Sequence, residues 1–94
     1  MSHVPNDRPI PMAAMRWETA TRYYISMAQQ DLFGHWELVK IWGAKASGHG
    51  RCQFTPMTDL PSCLAALQAI EHQRALRGYR DVPMVGARPS PDHP

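Results

Sequence analysis

Prolines crowd both ends of this chain and bound what can fold between them. Pro5, Pro9 and Pro11 punctuate the start; Pro83, Pro89, Pro91 and Pro94 punctuate the end. Proline fixes φ and removes a backbone donor, so neither end sustains a ladder or a helix for long. Residues 1–12 and 86–94 are therefore expected to be flexible, Pro-rich arms around one domain spanning 13–85. A total of 94 residues also fits one domain. The folded piece is then roughly 65–70 residues, a size that buries only about 60% of its unfolded surface and holds one thin core. A deep substrate cavity does not fit beside such a core. The chain is expected to be a binding domain, not an enzyme, with no small-molecule substrate and no cofactor.

Between the prolines the apolar residues alternate, then change period. In Thr21–Ala28, Tyr23, Ile25 and Met27 share one face while Arg22, Tyr24 and Ser26 share the other, the pattern of a half-buried strand. Gln29 to Gly34 reads as a turn, with Leu32 and Phe33 tucked under the sheet edge. His35 to Lys45 is a second strand with apolar groups on both sides: Trp36, Leu38 and Trp42 on one, Val39 and Ile41 on the other. Such a strand is central, or has one face that meets something besides the core. Ser47-Gly48-His49-Gly50 supplies a turn. Arg51–Thr55 is a third strand with Cys52 and Phe54 on one face, and Met15–Thr19 a short edge strand.

The period then becomes helical. Leu60, Cys63, Leu64, Leu67, Ile70 and Arg74 recur at spacings of three and four. Asp59 can accept the first free N–H groups, and Pro61 suits the first turn. The helix is expected to end near Arg77, with Gly78 in the left-handed position and Tyr79 folding back onto the sheet. The fold class is α+β: an antiparallel meander packed against one long C-terminal helix.

Charge sets limits on partners. The formal net charge is +2. From Arg16 to Arg80 eight basic residues (Arg16, Arg22, Lys40, Lys45, Arg51, Arg74, Arg77, Arg80) face five acidic ones (Glu18, Asp31, Glu37, Asp59, Glu71). This bias permits an anionic partner without demanding one. No apolar run approaches the ~20 residues that span a bilayer. The start, Met-Ser-His-Val-Pro-Asn-Asp, lacks the regions of a signal peptide. A cytoplasmic location with no membrane partner is expected, and Cys52 and Cys63, both in apolar contexts, are expected to be reduced core thiols.

Few residues suggest chemistry. Lys40 and Trp42, two apart on a strand, share a face, and a cation beside an indole can hold a phosphate while the ring stacks on a sugar or base. The competing assignment puts Trp42 in the core and leaves Lys40 a solvated charge. Arg74, Arg77 and Arg80 could ridge a phosphate site, or simply match the negative end of the helix dipole. His49 and Cys52 lack a second pair at zinc-like spacing, so no metal is expected. No Walker loop, dinucleotide fingerprint or nucleophile elbow is present.

From Arg22 to Tyr79 the pieces add up to a pattern. Arg22-Tyr23-Tyr24 opens the first strand and Asp31-Leu32-Phe33-Gly34 makes the turn. Trp36-Glu37-Leu38-Val39-Lys40-Ile41-Trp42-Gly43 forms the signature strand, Gly50 closes the hairpin, and Arg77-Gly78-Tyr79 ends the helix. In this order and spacing the chain resembles the WGR domain, found within poly(ADP-ribose) polymerases, in a bacterial protein linked to molybdate-metabolism regulation, and as short stand-alone bacterial proteins. The chain departs from the namesake Trp-Gly-Arg, reading Trp42-Gly43-Ala44, and has Ala46 where the family has glycine. In the polymerases the motif tryptophan packs against the sugar at a DNA end, and the arginine links DNA to the rest of the enzyme. The resemblance implies the first role for Trp42; Ala44 cannot perform the second. It implies a module that binds DNA weakly, at ends or single strands: Trp42 stacks, Lys40 neutralises phosphate, Lys45 and Arg51 line the hairpin, and Arg22 adds a cation. The alternative is a protein-interaction adaptor that binds a partner, or itself, through the second apolar sheet face or an exposed edge.

Overall fold

The computed structural model describes residues 13–83. Their order is β1 (Ala13–Glu18), β2 (Arg22–Gln30), β3 (Trp36–Ala44), β4 (Gly50–Pro56), α1 (Leu60–Leu76) and β5 (Arg80–Val82). The strands form one antiparallel sheet in the order β4-β3-β2-β1-β5. The fold is therefore α+β, an antiparallel meander carrying one long helix. The expected arms at 1–12 and 86–94 lie outside the described residues.

The turns form for local reasons. Asp31 Oδ1 accepts from the backbone N–H groups of Phe33 (2.8 Å) and His35 (2.9 Å), and Gly34 takes φ 85°. At the next turn Ser47 Oγ accepts from the His49 N–H, and Gly48 takes φ 74°. The helix starts where Asp59 Oδ1 accepts from Ser62 N at 2.9 Å, with Pro61 in its first turn. It stops at Gly78, φ 86°, where Gly78 N donates to Ala75 O and Tyr79 N donates to Arg74 O. These two bonds form a Schellman motif, which satisfies carbonyls the last helical turn leaves open.

Cys63, Leu67 and Ile70 of α1 pack on Trp17, Ala28 and Leu38 of the sheet, with Leu60, Ala66, Met15, Trp36 and Tyr79 around them. The helix therefore covers the Tyr24–Ser26–Ala28 face of β2, not the Tyr23–Ile25–Met27 face that carries its larger aliphatics. Small residues explain the choice. Ser26 and Ala28 are fully buried and let the helix approach closely. The Ser26 hydroxyl donates to Val39 O at 3.1 Å, so the burial leaves no orphan donor.

Four expectations are corrected. Leu32 and Phe33 do not tuck under the sheet; they are 71% and 84% exposed, because Asp31 alone satisfies the turn. Cys63 is a buried thiol, but Cys52 is exposed, since it lies on the face away from the helix. Leu64 is exposed, one position off the seam that Cys63, Leu67 and Ile70 define. The first strand is not an edge: after the helix, Arg80–Val82 returns and pairs with Arg16–Glu18. Three residues are too few to show alternation, so β5 left no periodic signal.

Candidate nucleic-acid interface

Strand register sets side chains in rows across the sheet, because cross-strand partners point to the same face. One row on the helix side runs Asp81, Trp17, Tyr24, Trp42, Arg51. The neighbouring row runs Met15, Ser26, Lys40, Gln53. On the other flank Arg22 stands directly across from Ala44. Trp42, Lys40, Arg51 and Arg22 thus share one face. The row carries a single carboxylate, Asp81, three strands from Trp42.

Aromatic packing holds the centre of the row. Tyr24 meets Trp17 edge-on at 6.0 Å and 63°, and stacks with Trp42 at 6.0 Å and 19°. Tyr79, returned by the helix stop, meets Tyr24 at 6.4 Å and 80°. Above them lies Arg74 from the last turn of α1, its guanidinium carbon 4.3 Å from the Tyr24 ring centroid and 4.9 Å from that of Tyr79. Both distances lie within cation–π range. Burial pushes the Tyr24 hydroxyl above its ordinary pKa, against the pull of the Arg74 charge, so the phenol is neutral. Arg74 Nε is buried with no hydrogen-bond partner among the described residues. Trp42 and Lys40 are half-buried; Arg22 and Arg51 are exposed.

Lys45 is separated from this group. It lies with Glu18 on the opposite side, Nζ to Oε1 at 2.8 Å, while Arg16 Nε donates to Glu18 Oε2 at 2.8 Å and its guanidinium lies 5.1 Å from the Tyr23 ring centroid. The Lys45 and Arg16 partners hold the Glu18 carboxyl well below its ordinary value, at about 2. The pairing of Lys45 with this glutamate continues the parity of β3: Lys45 is the odd residue directly after a strand whose even residues face the helix, and its N–H still donates to Thr21 O. The arginine that joins the site, Arg74, comes from a different element; the helix seam and the candidate ridge of Arg74, Arg77 and Arg80 both pointed to it, but not to its place over Tyr24.

The opposite end of the sheet has a different character. A hollow of about 410 Å³ is lined by Asp31, His35, Trp36, Glu37 and Met57 among others, and its two carboxylates disfavour an anion. His35 Nδ1 lies 3.4 Å from Asp31 Oδ2. Among the described residues no three His, Cys, Asp or Glu side chains gather as a metal site requires, and no helix is long and apolar enough to cross a membrane.

Nothing matches this chain in comparisons with protein families, with curated proteins and with solved structures.

Proposed function

We propose that this chain is a small nucleic-acid-binding module of WGR type, whose interface is the helix-side end of the sheet around Trp42. The supporting observation is the gathering of Arg22, Lys40, Arg51 and Arg74 about a half-buried indole on one face. Cations gathered on one face can neutralise phosphates, and an aromatic edge stacks on a sugar or base whatever the sequence. Arg22, directly across from Ala44, supplies a guanidinium at the end of the face where the motif arginine would stand. Lys45, engaged with Glu18, contributes less than its charge suggests. The phosphate contacts fix position and carry no base preference, and the resemblance to WGR domains makes DNA ends or single strands the target of this reading.

A protein-interaction adaptor is the second reading. It draws on the other sheet face, where Phe54 is 57% exposed beside Cys52.

Tryptophan fluorescence of the full chain, titrated with short blunt duplex, single-stranded DNA and an unrelated polyanion, separates the two readings. The nucleic-acid reading expects quenching by DNA beyond that by the polyanion. Binding should weaken with salt at a log–log slope of about −3, the value for three or four phosphates neutralised and their counterions released. No response at low salt would leave the adaptor reading alone.

A further inference from the structure

The face of the sheet turned away from α1 is apolar at its centre and charged at its ends. Its rows are Ile25, Ile41 and Cys52, then Met27, Val39 and Phe54. Val39 is 2% exposed and stands apart from the helix-side core cluster, between Met27 and Phe54 in register, so the surface of this face is offered by Met27, Ile41, Cys52 and Phe54 around it. Among the described residues no element packs over this face, since α1 lies on the other.

The two ends of the face differ in charge along the strand direction. At one end Arg16, Lys45 and Arg80 surround the single carboxylate of Glu18. At the other end stands Glu37, which accepts from Gln29 Nε2 at 2.7 Å. An apolar centre between a net positive end and a negative end is self-complementary under one operation. A two-fold axis in the plane of the interface and perpendicular to the strands sets each negative end over the positive end of the other copy.

We propose that this face is the interface of a homodimer, two sheets packed face to face with antiparallel strands, Phe54, Met27 and Ile41 at the centre and Glu37 over the Lys45 end of the second copy. Sheets pack in this way about 10 Å apart. The size fits. Four strands about 4.8 Å apart, rising about 3.4 Å per residue, present on the order of 600 Å² per copy. Two such faces bury about 1,200 Å², the lower end of what specific stable interfaces bury. The isologous geometry leaves the Trp42 face outward on both copies, so dimerisation and nucleic-acid binding are separable.

Sedimentation equilibrium on the full chain tests this directly. The expected mass at micromolar to millimolar concentration is twice the 10.6 kDa of one chain. Phe54→Lys changes an exposed side chain, keeps the circular dichroism spectrum, and is expected to return the chain to a monomer. Glu37→Lys is expected to raise the dissociation constant about tenfold or more at low salt, and less at high salt, because it opposes like charges. A monomer at every concentration overturns the proposal, as does a dimer indifferent to Phe54→Lys. Hydroxyl-radical labelling sorts the first case. Met27 and Phe54 protected in a monomer would assign the face to residues 1–12 or 84–94 of the same chain. Both labelled would leave it to a different protein. Either result excludes the homodimer.

Discussion

The indole of Trp42 lies nearly parallel to the phenol ring of Tyr24, centroids 6.0 Å apart and planes 19° apart. One face of the tryptophan is thus committed to the protein, and its other face and outer edge are what a sugar or base can meet. Trp42→Ala should cost stability as well as binding, by about 2 kcal/mol from lost apolar area and stacking. Urea unfolding followed by circular dichroism measures this. Trp42→Phe should recover most of the stability, because a smaller ring still stacks on Tyr24, and it is the better variant for separating folding from binding.

The Tyr23 hydroxyl lies across the Gly43–Gly50 pair. A Cβ on Gly50 would fall on that hydroxyl, and one on Gly43 would stand 3.1 Å from it and 2.9 Å from His49 O. Gly50→Ala should therefore destabilise the hairpin, by about 1–3 kcal/mol as overpacking does. In a Tyr23→Phe background the penalty should shrink, since the atom in the way is gone. A double-mutant cycle on unfolding midpoints reads the coupling. Equal penalties in both backgrounds would show that the hydroxyl is not the obstacle.

Acid should weaken the fold through Glu18. Its carboxyl is lowered from 4.5 to about 2 by Lys45 first and Arg16 second. The folded chain thus holds fewer protons than the unfolded chain between these values. The contribution is complete above about pH 4.5 and is lost as pH falls toward 2. Asp31 and Asp59, also lowered, by the backbone of His35 and by Ser62, act in the same direction. Glu18→Gln should lower stability above about pH 4.5 and converge with the unaltered chain as pH falls toward 2, so the acid limb of its stability–pH curve is flatter. High salt should reduce the difference, because the pair is partly solvated.

Asp59 caps the helix by accepting from Ser62 N at 2.9 Å. Asp59→Ala should cost about 1 kcal/mol and Asp59→Asn much less, since asparagine caps nearly as well. Thermal unfolding of both variants checks the order. Because Arg74 sits at the far end of the same helix, neither change should alter nucleic-acid affinity at temperatures where the chain is folded.

Local chemistry made much of the fold legible. Asp59 and Gly78 mark both ends of the helix, and glycine turns at Gly34 and Gly48 delimit the strands. The side of the sheet that the helix covers was not legible. Alternation in β2 separates Tyr23, Ile25 and Met27 from Tyr24, Ser26 and Ala28 but does not say which set lies inside. The smaller set won because close helix approach needs small side chains. For the site, parity alone put Lys40 beside Trp42. The reach of Arg74 over Tyr24 joins residues far apart in sequence, and the return of Tyr79 depends on the Schellman stop. Leu32 and Phe33, apolar yet on a turn tip, misled because hydrophobicity outweighed the turn chemistry of Asp31.

The salt dependence of DNA binding by the Lys40→Gln/Arg51→Gln chain, compared with the unaltered chain, tests the nucleic-acid interface most directly. Among the described residues neither side chain forms an ion pair, so the variant should unfold at nearly the same temperature. Each lost phosphate contact removes about 0.9 from the slope of log affinity against log salt, so the double variant should be shallower by about 2. An unchanged slope with unchanged affinity would contradict an interface at Trp42.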